Sequence, residues 1–203
     1  MDFNKLAAYS LATIVLFFQR FIGLIITPYK TMRKISQDTD KSQTIFIFII
    51  VYIYFLLMQD LKEYMYPSYI MFFIFLVNFL ITVIFFRGVS WILHGNAHSI
   101  KIIHTLAYSL VPTLIWFISN SVLFVILPPP HSYTMYGKLF SIFFLSYSIS
   151  LLIWKIMLFY LAIRFSTGMK FLSICYVVLL YLCIFLPATF FLYQLQIFRV
   201  PFI

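Results

Sequence analysis

Apolar and polar positions alternate along the chain in long blocks, and the apolar blocks are close to the length of a membrane span. Beyond residue 43 the apolar blocks occupy residues 44–58, 69–86, 105–127, 139–163 and 171–193. A helix needs about 20 apolar residues to cross the hydrocarbon core, and local thinning of the bilayer accommodates shorter ones. The pattern therefore predicts an all-α, polytopic membrane protein with five transmembrane helices.

Residues 2–27 show a different pattern, in which a narrow polar stripe runs along an otherwise apolar helix. The stripe, interrupted by Leu16, consists of Asp2, Lys5, Tyr9, Thr13, Arg20, Gly23 and Thr27. A wide apolar face with a thin basic stripe is typical of a helix that lies among the headgroups. We therefore expect an interfacial amphipathic helix over residues 1–28. The alternative is a spanning helix whose Arg20 side chain reaches back to the headgroups.

Residues 29–43 form the most basic segment, and residues 44–203 then make up the five-span membrane domain. The charges of the segment are Lys30, Arg33, Lys34, Lys41, Asp38 and Asp40. Short basic segments beside membrane spans remain in the cytoplasm. Arg87, Lys101, Arg164 and Lys170 fall on the same predicted side, whereas the opposite side carries Lys62, Lys138 and Arg199. The bias predicts a cytoplasmic N-terminus and an external C-terminus.

The composition agrees with a membrane location. Hydrophobic residues make up 64% of the chain and charged residues 9%, against about 45–50% and about 25% in soluble domains. The net charge of +9 is a topology signal, because the cations stand at the ends of apolar blocks rather than on one face or tail. We therefore expect contact with the lipid bilayer and no binding of nucleic acid.

Residues 87–103 are the predicted cytoplasmic connector between the second and third spans. His94 and His98 lie in this connector, and His104 follows at the start of the third span. A zinc site needs three or four ligands supported by carboxylates, but the connector has no Asp, Glu or Cys. The Gly95-Asn96 pair also favours a turn over a helix. We therefore predict no metal site and expect these histidines at the membrane interface.

The sequence contains no recognisable catalytic set. It has no nucleophile–base pair, no carboxylate dyad and no glycine-rich phosphate loop, and no Asp or Glu lies within the five predicted spans. Proton relays and cation pathways usually need acids inside the membrane. We therefore expect neither an enzyme nor a proton-coupled transporter, and we expect no cofactor.

Polar residues that recur on one face of a predicted span are candidates for hydrogen-bonded contacts between helices. These sets are Asn78 with Thr82, Ser109 with Thr113 and Asn120, and Ser141 with Ser148. A small hydrophilic pore is the alternative. Lys155 shares the last face and lies about 12 Å from the cytoplasmic end of its helix. It either extends to the headgroups or faces the bundle, where a lipid phosphate or a partner's acid would balance its charge.

Three short segments carry a family resemblance. Residues 27–35 place a proline before basic residues, Gly95 precedes the Tyr-Ser-Leu-Val-Pro stretch at 108–112, and Ile153-Trp154-Lys155 precedes the turn at 166–170. Together they resemble the Ypt-interacting-protein (Yip) domain family in its short bacterial form. The resemblance implies a five-span, non-enzymatic protein of the bacterial cytoplasmic membrane, and bacterial relatives often accompany export systems. The acidic Asp-Leu-Tyr-Gly-type motif of eukaryotic members is absent, which puts small-GTPase binding in doubt.

These features favour a non-catalytic accessory subunit of a larger membrane transporter or assembly, such as an ABC-type export system. The residues expected to contact that partner or lipid are Arg20, Asn78, His94, Gly95, His98, Lys101, Pro112, Asn120 and Lys155. One alternative is the permease half of an ABC-type exporter or lipid mover, with residues 91–104 as its coupling helix. Another is a membrane-shaping or lipid-sorting protein that acts through its N-terminal helix.

Overall fold

The computed structural model describes residues 3–38, 40–62, 66–93, 98–126 and 135–194, and within these ranges the chain is helical with no β-strand. The helices are α1 (Phe3–Ile26), α2 (Pro28–Gln37), α3 (Ser42–Lys62), α4 (Ser68–Ile92), α5 (Ser99–Tyr108), α6 (Val111–Ile126), α7 (Met135–Thr167) and α8 (Phe171–Gln194). The prediction of an all-α fold is therefore confirmed.

Five helical segments of the described chain are long and apolar enough to cross a membrane. They are Ser42–Gln59, Ser68–Ile92, Ser99–Ile126, Gly137–Thr167 and Phe171–Leu192. They follow the order of the five predicted blocks, and the shorter apolar helix Leu11–Ile26 precedes them. This agrees with the predicted fold class. The helices extend past the apolar blocks because polar residues such as Arg87 continue the helical backbone.

The third predicted span consists of two helices rather than one. Residues 109 and 110 form a turn between α5 and α6. In a continuous helix the N–H of residue 112 would donate a hydrogen bond to the carbonyl of Tyr108. Pro112 has no N–H and cannot make this bond. The backbone tightens instead, and the N–H of Leu110 donates to the carbonyl of Ala107 at 3.1 Å. The break lies inside one candidate membrane span, Ser99–Ile126, which tolerates Pro112 in this way.

Helix α1 turns the side with its polar stripe toward the protein. Phe17, Arg20 and Leu24 are buried on this side. The opposite side exposes the large apolar residues Leu11, Ile14, Val15, Phe18, Ile22, Ile25 and Ile26. Arg20 is 7% exposed and pairs with Asp38, so a carboxylate of the protein itself supplies its counter-charge. The location of α1 on or across the membrane stays a prediction.

Helix α2 forms from the basic segment and packs against α1, α5 and α7. Its buried face is apolar, with Met32 and Ile35 at 0% exposure, and its basic residues lie on the exposed face. Pro28 is at the start of the helix, where a backbone N–H would have no partner within the helix and its absence therefore costs no hydrogen bond. Gly23 permits the close approach of α1, because a Cβ there would lie 2.7 Å from Oγ1 of Thr31.

Part of the core lies at one end of the bundle, which we call the basic end. This end contains α2, the C-termini of α1, α4 and α7, and the N-termini of α3, α5 and α8. Helix α5 packs here against α2, α3, α4 and α7, and its residues 104–108 are all buried. In contrast, no side chain of α7 from Gly137 to Met157 is buried. Helix α7 is therefore loosely packed along this half, whereas α3, α4 and α6 stay packed together beside it, with Met58, Met71 and Phe117 buried.

Candidate functional site

A group of polar side chains lies inside the basic end, between α1, α3 and α5. We call it the polar cluster, and its members are Arg20, Asp38, Gln43, Thr44, His104 and Tyr108. All of them except Asp38 are buried. Polar groups are buried in proteins when other groups of the fold satisfy them, so the arrangement of these contacts defines the site.

Arg20 is the centre of the polar cluster. Its Nη2 group forms an ion pair with Oδ2 of Asp38, and its Nη1 group donates to Oε1 of Gln43 at 2.6 Å. The Tyr108 hydroxyl donates to the same Gln43 oxygen. The guanidinium carbon of Arg20 also lies 6.0 Å from the centroid of the Tyr108 ring, within the range of a cation–π contact. Arg20 thus connects α1 to the α2–α3 link (residues 38–41), to α3 and to α5.

Asp38 supplies the counter-charge and is the partly exposed member of the cluster. Its Oδ1 atom accepts the backbone N–H of Asp40 at 3.0 Å. Burial by itself raises the pKa of the Asp38 carboxyl. The hydrogen bond from Arg20, the backbone N–H of Asp40 and the charge of Arg20 together outweigh that effect, so the pKa lies below its ordinary value of 3.8. The carboxylate is therefore ionised at neutral pH and balances the buried guanidinium.

His104 joins α5 to the first turn of α3. Its Nδ1 atom lies 2.7 Å from Oγ1 of Thr44, and its ring meets the Tyr108 ring edge-on with centroids 5.3 Å apart. A hydroxyl beside an imidazole is also the pair used in nucleophilic catalysis. Here both side chains are buried, at 8% for Thr44 and 3% for His104. Because a substrate has no access to this hydroxyl, the contact is suited to holding helices together.

Three nitrogen atoms of the polar cluster are buried without a hydrogen-bond partner in the described chain. Nε of Arg20 and Nε2 of Gln43 are buried and have no hydrogen-bond partner within the described chain, and the same holds for Nε2 of His104. The Asp38 carboxylate and the Gln43 carbonyl accept the hydrogen bonds that the Nη groups of Arg20 donate. An unpaired buried donor costs about 1–3 kcal/mol. The cluster therefore depends strongly on the contacts that it does make, above all on Asp38.

The described residues contain no group of three or more His, Cys, Asp or Glu side chains that could hold a metal ion. His94 and Gly95 lie outside the described residues, so the predicted histidine pair of the connector is not part of this observation. His98 is exposed directly before α5.

The other predicted contact residues are distributed over several helices. Pro112 is buried beside the α5–α6 break, and Arg20 alone among the predicted residues belongs to the polar cluster. The side chains that are half-buried are Asn78, Lys101, Asn120 and Lys155. The structure therefore does not bring the predicted contact residues together into one site.

Hydrogen bonds between spans follow the predicted polar faces in part. Thr82 lies 3.1 Å from the Tyr181 hydroxyl and connects α4 to α8. Trp116 donates to Ser148 at 3.3 Å and connects α6 to α7. Ser141 donates to the Gly137 carbonyl of its own helix, as Ser148 donates to Phe144, but Ser141 makes no hydrogen bond to another helix of the described chain. Polar faces therefore form contacts between helices at some of the predicted positions but not at Ser141.

Sequence reasoning did not identify Asp38, Gln43, Thr44 and Tyr108 as site residues. Arg20 was the available signal, because a cation on a helix surrounded by apolar residues requires a counter-charge or access to water. Asp38 is one of the two acids in the following segment. Gln43 and Tyr108 carry no such signal, since their distance from Arg20 along the chain is 23 and 88 residues respectively by their numbering.

Comparison with known proteins leaves the family open. No protein-family model, curated protein or solved structure matches this chain. The resemblance to the Yip-domain family therefore rests on the three short sequence segments alone. All three reach the basic end: residues 27–35 form most of α2, residues 108–112 contain the α5–α6 break, and residues 166–170 contain the α7–α8 turn.

Proposed function

We propose that this chain is a non-catalytic accessory subunit of a larger membrane transporter or assembly, such as an ABC-type export system. The observation that carries the proposal is the half of α7 between Gly137 and Met157. It belongs to a candidate membrane span, yet none of its side chains is buried. Helices of an assembled membrane complex bury such surfaces against neighbouring subunits.

The chemistry of this surface favours a protein neighbour over lipid tails alone. Large apolar residues such as Ile149 and Ile153 are exposed, but so are Ser146 and Ser150. Each of these serine hydroxyls donates to the carbonyl four residues earlier at 2.9 Å. Small side chains with satisfied hydroxyls let the backbone of a second helix approach closely, which is how helices associate in membranes. The surface therefore fits a helix of another subunit.

We place the basic end on the cytoplasmic side of a bacterial cytoplasmic membrane. The exposed cations of this end are Lys30, Arg33, Lys34, Lys41, Arg87, Arg164 and Lys170, whereas Lys138 is exposed near the opposite end. Cytoplasmic loops of membrane proteins carry such an excess of Lys and Arg. With five spans, this arrangement puts the N-terminus in the cytoplasm and the C-terminus outside. The bacterial location follows from the resemblance to the Yip-domain family.

The permease alternative receives less support. Its coupling helix over residues 91–104 would have to face an ATPase. In the described part of that range, Trp91 and Ile92 end α4, and Ser99 begins α5. Ile102 and His104 are buried in the bundle. The described part of the range therefore belongs to two different helices, α4 and α5, instead of one coupling helix, which favours the accessory role.

Purification at native expression level in a mild detergent tests the proposal. We expect native mass spectrometry to show the chain in a stoichiometric complex with another membrane protein. Replacing both serines, Ser146→Leu with Ser150→Leu, keeps α7 apolar but adds bulk, and should release the partner. Ile84→Phe is the matched control, because Ile84 is an exposed apolar position on α4. Recovery of the chain alone, or of an intact complex from the serine variant, would contradict the proposal.

A further inference from the structure

The exposed face of α2 and the end of α7 form a second charged feature, separate from the polar cluster. Lys30, Arg33 and Lys34 are all exposed on α2, at spacings of three and four residues that put them on one side of the helix. Arg164 is exposed in the last turn of α7. None of these four cations forms an ion pair within the described chain, where the one recorded pair is Arg20 with Asp38.

Aromatic side chains hold Arg164 in position without a carboxylate. Its guanidinium carbon lies 5.8 Å from the centroid of the Tyr29 ring, and its Nη1 group donates to the Tyr160 hydroxyl at 3.2 Å. The Tyr29 ring is itself fixed by edge-on contact with Phe165, at 4.9 Å between centroids. An arginine that is oriented by aromatic groups keeps free N–H groups for an incoming anion.

The acids near this feature are already engaged elsewhere. Asp38 pairs with Arg20, and Asp40 accepts hydrogen bonds from the backbone N–H and the hydroxyl of Ser42. These are the two carboxylates whose side chains the structure describes. Each therefore stabilises a local feature of the fold, and the positive charge of α2 and Arg164 remains to be balanced from outside the described chain.

From these contacts we infer that Tyr29, Arg33 and Arg164, with Lys30 and Lys34 beside them, form a binding site for the headgroup of an anionic phospholipid. The position of the site favours a lipid over a soluble anion. Arg164 stands near the end of the candidate span Gly137–Thr167. Exposed apolar residues are near both ends of the site along the chain, with Ile26 before Tyr29 at 73% and Phe171 after Arg164 at 62% exposure. The cations therefore lie where an apolar surface ends, which is the level of lipid phosphates.

This inference concerns a lipid and holds with or without a protein partner. Each Lys or Arg near an anionic membrane surface raises the affinity of a protein for that surface about fivefold. The site should therefore bind phosphatidylglycerol more tightly than phosphatidylcholine, because only the former carries a net negative charge. Raising the salt concentration should weaken the preference, since the charged groups are exposed.

The test is native mass spectrometry of the full chain in detergent, titrated with phosphatidylglycerol or phosphatidylcholine. Arg164→Gln should weaken phosphatidylglycerol binding about fivefold, and Tyr29→Leu should weaken it because Arg164 loses its aromatic support. Tyr29→Phe keeps the ring and should bind like the parent. Arg87→Gln is the control, since it removes one exposed cation of the basic end from α4. Parent-like secondary structure by circular dichroism accompanies each comparison.

Equal losses of phosphatidylglycerol binding in Arg164→Gln and Arg87→Gln would contradict the proposed site, because they would show only a general effect of charge. Unchanged binding in Arg164→Gln would overturn it as well. A third arm adds inorganic phosphate to the titration. We expect it not to displace phosphatidylglycerol at equal concentration, and displacement would assign the site to a soluble phosphate instead of a lipid.

Discussion

Replacing Asp38 with Asn should destabilise the protein more than any other single change in the α2–α3 link. The substitution keeps the shape of the side chain but leaves the guanidinium of Arg20, 7% exposed, without its counter-charge. Removing one partner of a buried ion pair costs about 3–5 kcal/mol. Because Asp38 itself is 25% exposed and water screens part of the interaction, we expect about 2–3 kcal/mol for Asp38→Asn.

A double-mutant cycle separates the ion pair from other effects of the substitution. Arg20→Met removes the charge that needs Asp38, so the double variant Arg20→Met with Asp38→Asn should lie within about 1 kcal/mol of Arg20→Met alone. Asp40→Asn is the matched control. It removes the same charge two residues away, and Asn can still accept the hydrogen bonds from Ser42 that Asp40 receives.

Reversible unfolding in mixed micelles, followed by far-ultraviolet circular dichroism, measures these differences. An Asp38→Asn variant as stable as Asp40→Asn would show that Asp38 does not balance the charge of Arg20. The same conclusion would follow if the losses of unfolding free energy in Arg20→Met and Asp38→Asn simply added in the double variant. Effects of independent sites are additive, whereas those of two partners in one ion pair are not.

Three further predictions use the same unfolding measurement. The pKa of Asp38 in the folded protein lies below its ordinary value of 3.8. The ionised side chain therefore stabilises the fold above pH 3.8, and this stabilisation is lost as the pH falls through the lower folded-state pKa. Asp38→Asn should lack this acid-dependent loss of stability. Gly23→Ala should cost about 1–3 kcal/mol by collision with Thr31, and Thr31→Ala should restore most of it. Ser148→Ala should cost about 0.6 kcal/mol through its lost contact with α6, and Ser141→Ala should cost less.

The spans were predictable because hydropathy is a local property of the chain. Residues 69–86, for example, are apolar enough that no tertiary contact is needed to place them in a membrane. The amphipathic pattern of α1 was equally visible, but a polar stripe does not reveal whether water or protein will satisfy it. In this protein Asp38 and Gln43 accept hydrogen bonds from both Nη groups of Arg20, and the apolar side of α1 becomes the exposed one.

The polar cluster was not predictable because its members are distant along the chain. Tyr108 reaches Gln43 across 65 residues, and Thr44 reaches His104 across 60. Those contacts exist only because α5 inserts between α2, α3, α4 and α7. The insertion in turn requires α5 to be a short helix that ends before Pro112. A proline is visible in the sequence, but the packing that its break permits depends on the whole bundle.

The proposed accessory role requires that the loosely packed half of α7 contacts a helix of another protein. A photoreactive residue placed at position 149 and activated in native membranes tests this, with position 84 on α4 as the matched exposed position. Ile149 and Ile84 are both exposed, at 48% and 67%. We expect one protein adduct of discrete mass from position 149 and only lipid adducts from position 84. Lipid adducts alone from both positions would contradict the assignment of this chain as an accessory subunit.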